Sequence, residues 1–169
     1  MLVGHARGRP SSGGRGCGVS GDPRIRVSAL LTCGGTVLLC KQRKASREYW
    51  LMPGGGVENG ESMHVALLRE LAEETGLTGL KLDGPIAIAE SIAPADAIPR
   101  KHVVHIIFHA EVDPADVAAI SSGDDAVRGH GLVSRDEIAS IDLRPPIHRF
   151  VQRWRPGDPF AHLGELWAR

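Results

Sequence analysis

The stretch from Gly55 to Leu77, GGVENGESMHVALLRELAEETGL, constrains this chain more than any other part of it. It opens in glycines and runs into a helix-forming segment that stops at Gly76. Glu70, Glu73 and Glu74 stand at i, i+3 and i+4, a spacing that puts all three on one face of a helix. Like charges that close weaken a helix, so their grouping points to a cation in front of them. Oxygen-only donors suit Mg²⁺, with Mn²⁺ as the alternative, better than zinc. Ser62 is a good N-cap, and Gly76 suits the left-handed residue that closes a helix. Ala66, Leu67 and Leu71 supply an apolar stripe, with the three glutamates largely off it. Arg69 and Glu61 are expected to pair, tying the loop to the helix. Gly54, Gly55, Gly56 and Gly60 let the loop turn tightly and bring carbonyls, that of Gly54 first, close to an ion. The plainer alternative is a solvated acidic helix face.

With 169 residues the chain fits one domain large enough for a real core. Lys plus Arg and Asp plus Glu number 20 each, which argues against the broad basic surface that nucleic acid or an acidic membrane needs. Cys17, Cys33 and Cys40 form no CxxC pattern, and Cys33 and Cys40 read as buried thiols. No run is long and apolar enough to span a membrane, and the arginine-bearing N-terminus lacks the apolar core of a secretory signal. The cytoplasm is the expected compartment.

Residues 1–23, rich in Gly, Arg, Ser and Pro, are expected to form a flexible tail, with a phosphate- or nucleic-acid-touching basic arm as the rival reading. From Arg24 the pattern is strand-like. IRVSALLT (25–32) and TVLLCK (36–41) flank Cys33-Gly34-Gly35, a hairpin turn. Tyr49 or Trp50 is placed to stack on a base, unless Trp50 is core. IAIAESI (86–92) and the β-branched-rich run HVVHIIFHAEV (102–112) are further strands. Within the second, His105 and His109 share a face while His102 points the other way, and these histidines are expected on an exposed or cleft-facing side. PADVAAI (114–120) predicts a short helix, Leu132-Val133 a strand, and RDEIAS a short turn after Ser134. Ile147, Phe150, Val151 and Trp154 fall on one face of a C-terminal helix. Residues 156–169 are expected to be a tail. The domain is thus bounded at 24–155.

Gly55, Glu61, Arg69-Glu70-Leu71, Glu73-Glu74 and Gly76-Leu77 stand at the spacing of the Nudix box, which the stretch resembles at every defined position. The resemblance implies an α/β (α+β) fold, an α/β/α sandwich with a mixed sheet between helices. It also implies a Mg²⁺-dependent hydrolase that cleaves a phosphoanhydride bond in a nucleoside diphosphate linked to a group X. Glu70, Glu73, Glu74 and Gly54 would hold the metal, with Arg69 beside them and Glu61 and Gly76 shaping the box. Glu70 is the first choice of general base and Asp124 or Asp125 the second. In the family a basic residue at the end of the strand before the box faces substrate phosphates, which nominates Arg43. Trp50, Gly55, Arg100, Asp124 and Asp125 complete the substrate-facing set, and Lys101 and His102 lie beside Arg100. Pro94 stands near where ADP-ribose-cleaving members carry a proline. The signatures of members cleaving diadenosine polyphosphates, NADH or coenzyme A are missing. Nucleoside triphosphate, sugar nucleotide and ADP-ribose all stay open, as does a nucleotide- or RNA-binding module without catalysis. Family members are often homodimers, and nothing in these residues decides that state.

Overall fold

A computed structural model describes residues 22–44, 46–98, 100–120 and 127–167. The expected hairpin forms from β1 (Arg24–Cys33) and β2 (Thr36–Lys44), turning at Gly34 and Gly35, whose φ of 52° and 87° favour glycine. Then come β3 (Arg47–Leu51), β4 (Gly54–Gly56), α1 (Met63–Thr75), β5 (Asp83–Ile92), β6 (His102–Glu111) and α2 (Pro114–Ala118). β7 (Val127–Ser134), a 3₁₀ turn (Glu137–Ser140), β8 (Leu143–Arg144), α3 (His148–Arg153) and β9 (Ala161–Leu166) complete the described elements. Among the described residues these strands make one sheet in the order β8-β3-β2-β1-β6-β5-β9, with β4 paired to β1 and β7 to β2.

The sheet is mixed because β1 runs parallel to β6 and antiparallel to β2 and β4. Along one edge β1 serves two partners, meeting β4 at Arg26, Val27 and Ser28, then β2 from Leu31 to Cys33. Its interior reads as a nearly continuous apolar run because both faces are covered. Val27, Ala29 and Leu31 pack with Ala66, Leu67 and Leu71 of α1. Leu30 points the opposite way, joining Leu39 and Ile107 against Ile138, Ile147, Val151 and Trp154. Two cores back to back around one sheet give the α+β sandwich, and no helix of the described residues is long and apolar enough to cross a membrane.

Three expectations need correction. The tail placed at 156–169 contains β9, which pairs in parallel with β5, and its Ala161, Leu163 and Leu166 pack on the core around Leu30. The segment lacks β-branched residues, and Gly164, with a φ of 72°, breaks its alternation, so strand pairing here comes from tertiary packing. The glycine loop is partly a strand, since Gly54–Gly56 forms ladder pairs with β1. His109, expected with His105 on an exposed or cleft-facing side, is buried, whereas His105 does face a cleft, though only 7% of it is exposed. His109 bonds Thr32 Oγ1 at 2.9 Å and lies against the Trp154 ring at 4.7 Å between centroids. The expectation for residues 1–23 falls, apart from Asp22 and Pro23, outside the described residues.

Truncation after Asp158 should lower the melting temperature by about 5 °C or more, since ~1 kcal/mol is worth 2–4 °C in a chain of this size and several apolar side chains lose their cover. An unchanged melting curve by circular dichroism would return these residues to the status of a tail.

Candidate functional site

The helix that carries the acidic residues starts and stops where its sequence says. Ser62, in an extended conformation, accepts a hydrogen bond from Val65 N at 3.2 Å. Gly76 ends the helix at φ 73°, donating its N–H to the Ala72 carbonyl. One further tie was not legible in the sequence: His130 of β7 bonds the Glu74 carbonyl at 2.7 Å, meeting one of the carbonyls left open at the helix end. His130 is the ladder partner of Cys40, which connects the end of α1 to the middle of β2.

Arg69 organises the front of the helix. Its Nη2 lies 2.8 Å from Glu61 Oε1 and donates to the Gly56 carbonyl at 3.2 Å, while its Nη1 lies 2.9 Å from Glu70 Oε1 and 3.5 Å from Glu73 Oε2. The expected Arg69–Glu61 pair is therefore present and extends to two of the three box glutamates. Bonds to Glu61 and Glu70 raise the arginine pKa, and the same bond from Arg69, with the Glu58 N–H, holds the Glu61 carboxyl below its usual range.

The three glutamates share a side of α1 but not an environment. The Glu73 side chain is 55% exposed and that of Glu70 17%, whereas Glu74 is 4% exposed and accepts the Gly54 N–H at 2.7 Å. Glu74 is thus a buried carboxylate satisfied by backbone, where sequence placed it off the apolar stripe. Glu70 reaches over the glycine strand: a Cβ on Gly55 would lie 2.0 Å from the Glu70 carboxyl carbon. Only glycine leaves that seat open. Gly54 is held equally closely, with φ 138° and a would-be Cβ 2.2 Å from the Val27 carbonyl oxygen.

Among the described residues no three His, Cys, Asp or Glu side chains are drawn together as a metal-holding group. The cation lying between Glu70 and Glu73 is the Arg69 guanidinium itself. The donor set nonetheless fits a hard divalent ion, being all oxygen, carried on one helix, and seated over a glycine whose side chain would fill the space. Glu70, Glu73 and Glu74 could hold such an ion, with Gly54 beside them.

The structure scatters the remaining sequence candidates. Arg43 is exposed and lies opposite Glu48 in the β2–β3 ladder. Trp50 packs against the core around Leu30 and crowds Gly131, with Lys41 Nζ 5.7 Å from its ring. Its neighbour Tyr49 instead lines a cavity of about 610 Å³, whose wall also includes Trp167. Arg100 is exposed and donates to the Ala93 carbonyl, and His102 lies 3.2 Å from Glu90, whereas Lys101 lines the cavity beside Tyr49. Asp124 and Asp125 lie outside the described residues.

That cavity contains His105, 7% exposed and hydrogen-bonded to Ser91 Oγ at 3.0 Å. Burial, and secondarily the Arg26 charge, lower its pKa to about 4. A folded-state value below the unfolded value of about 6.5 means that the unfolded chain binds the extra proton between them. This contribution to stability is full above pH 6.5 and is lost as pH falls toward 4, on the order of 3 kcal/mol at most. Urea titrations of His105→Gln should show a shallower loss of stability across that window. Part of the slope should remain, because burial lowers the His109 pKa in the same direction. Identical slopes in the variant and the parent would show that His105 is not held neutral.

Relatives share both the sequence and the architecture. An ADP-ribose pyrophosphatase of Methanocaldococcus jannaschii is 33% identical over 105 residues, 62% of this chain and 58% of that protein. An RNA pyrophosphohydrolase of Caulobacter vibrioides is 47% identical over 62 residues, 37% of this chain and 36% of that protein. The chain thus spans little more than half, or about a third, of these relatives' lengths. The crystal structure of a MutT protein from Methanosarcina mazei Go1 superposes with a TM-score of 0.62 at 27% identity, covering 78% of this chain and 92% of that one. With residues 22–154 matching the NUDIX domain, the sandwich, the glycine strand and the braced acidic helix have a common explanation: this chain belongs to the Nudix family.

Proposed function

We propose that this chain is a divalent-metal-dependent hydrolase that splits a phosphoanhydride bond in a nucleoside diphosphate linked to a second group. The observation that carries the reading is the seat of Glu70, a carboxylate braced by Arg69 over a strand of glycines, beside Glu73 and above buried Glu74. A side chain at position 55 would push the Glu70 carboxylate off this place, and an acidic helix face serving only solubility would not need that place kept clear. Nudix proteins generally use divalent ions such as Mg²⁺. When bound by these carboxylates, the ion would neutralise diphosphate oxygens and acidify a water.

The chain's own groups divide the remaining work. Arg69 holds Glu70 and Glu73 in register with the loop, Gly55 keeps the seat clear, and Glu74 fixes the glycine strand through the Gly54 N–H. A water oxygen forms a bond to one phosphorus while the bridging P–O bond breaks. The proton released by water passes to a carboxylate, for which Glu70 is the choice within the described residues. The products are a nucleoside phosphate and the phosphorylated second group.

The test is incubation with Mg²⁺ and a panel of nucleoside triphosphates, ADP-ribose, sugar nucleotides and 5′-triphosphorylated RNA, resolved by chromatography. Turnover of at least one compound into those two products is expected. Binding across the panel with no turnover would favour a nucleotide-binding module instead.

Glu73 gives the cleanest variant, because it is half exposed and its contact with Arg69, at 3.5 Å, is loose. Glu73→Gln should lower kcat by about 100-fold or more while the melting temperature stays within about a degree. Turnover within a few fold of the parent would remove Glu73 from the ion-binding set.

A further inference from the structure

The sheet ends at β9, which pairs with β5 along one edge and has no partner along the other among the described residues. An edge strand keeps a row of backbone N–H and C=O groups available to another strand, and proteins usually guard it with lysine, proline or a very short strand. Residues 161–166, AHLGEL, hold neither lysine nor proline and run the length of an ordinary strand. Exposed aromatic side chains, Phe160 and Trp167, stand at its two ends.

A bulge can also blunt an edge, but the bulge in β9 does the reverse. His162 stands opposite Ile88 and Glu165 opposite Glu90, so β9 carries one residue more than β5 over the same length. The extra residue falls at Leu163-Gly164, where Gly164 takes a φ of 72°. Side chains alternate along β5, so Ile88 and Glu90 share a face, and His162 and Glu165 therefore share one too. Ala161 and Leu166, opposite Ala87 and Ser91, share the other face and both pack on the core around Leu30. Residues directly opposite in an antiparallel pair lie on one face of the sheet. A regular strand pairing with its own copy could not set residues 162 and 165 opposite each other, whereas this one can.

We infer that β9 is the seam of a symmetric dimer, its free edge taking β9 of a second copy of this chain, antiparallel, about a two-fold axis between Leu163 and Gly164. That register sets His162 against Glu165 of the other copy, Ala161 against Leu166, and Phe160 against Trp167. Imidazole meets carboxylate on one face, apolar meets apolar on the other, and aromatic meets aromatic at both ends. Symmetry makes every contact twice. Sliding one copy by two residues sets His162 against Leu163, or Glu165 against Gly164, and loses all three matches. The axis stands normal to the sheet, so the core face of one copy continues into that of the other. The cavity of about 440 Å³ that Ile147, Phe150, Leu163 and Leu166 line beside β9 then meets its counterpart across the seam. The pairing uses none of the carboxylates of α1 and needs no nucleotide, so it stands whether or not the chain is a hydrolase.

Sedimentation velocity on the full chain over a concentration series, without nucleotide or divalent ion, reads the assembly directly. The parent should sediment at twice the mass of one chain. His162→Glu sets a carboxylate against Glu165 in both pairs and should weaken self-association by about tenfold or more. Glu165→Lys, which removes the carboxylate from both pairs, should weaken it as well. The double variant His162→Glu/Glu165→Lys restores opposite charges and should return to within about threefold of the parent. An equimolar mixture of the two single variants should associate more tightly than either alone, and it needs only chains changed at one exposed position. Circular dichroism should show every variant folded, because both side chains are exposed. A parent that stays monomeric throughout the series, a His162→Glu chain that associates as tightly as the parent, or a double variant and a mixture no tighter than the single variants would each overturn the assignment.

Discussion

The structure depends on one ionic clamp, the Arg69 guanidinium held among Glu61, the Gly56 carbonyl, Glu70 and Glu73. A single exposed ion pair is worth little, because water screens it and ordering long side chains costs entropy. Here one rigid fork spans loop, strand and helix, so its geometric effect exceeds its contribution to stability. It fixes the rotation of α1 about its own axis relative to β4. Without it, Glu70 would have no reason to stay over Gly55 and the carboxylates would spread into solvent.

The clamp works because both things it joins are rigid. The helix is held from beneath by Ala66, Leu67 and Leu71, each fully buried against the sheet. The glycine strand is held by its ladder to β1, by the Glu74 carboxylate on the Gly54 N–H, and by close packing that leaves no space for a Cβ at Gly54. β1 in turn is buried on both faces and bonded along both edges. The carboxylates thus sit on a helix fixed to the most deeply buried strand described. Arg26, on the same strand, lines the cavity that holds His105.

Much of this was legible in the sequence, for local reasons. The Ser62 cap, the Gly76 stop, the Arg69–Glu61 pair, the Gly34–Gly35 hairpin and the apolar stripe of α1 involve residues close in sequence, where spacing determines contact. Other features required tertiary knowledge. Glu74 looks like Glu73 on a helical wheel, and only the neighbouring sheet makes one buried and the other exposed. His130 reaches the end of α1 from a strand far along the chain, and Tyr49 rather than Trp50 faces the cavity because Trp50 is needed against Gly131. β9 lacks the composition of a strand and exists because β5 offers it an edge. The buried Nη2 of Arg26, which has no hydrogen-bond partner among the described residues, has no sequence signature, since any arginine in a strand looks the same until its surroundings are known.

The central claim is that Glu70 and Glu73, held by Arg69, and Glu74, held by the Gly54 N–H, are poised around a site for a divalent ion beside the glycine strand. Paramagnetic relaxation in the amide NMR spectrum, with sub-stoichiometric Mn²⁺ added to the full chain, tests it without reference to any substrate. The account predicts that the signals of residues 54–56 and 70–74 broaden first, and that excess Mg²⁺ restores them. Broadening centred elsewhere, or a uniform loss that Mg²⁺ does not reverse, would contradict it.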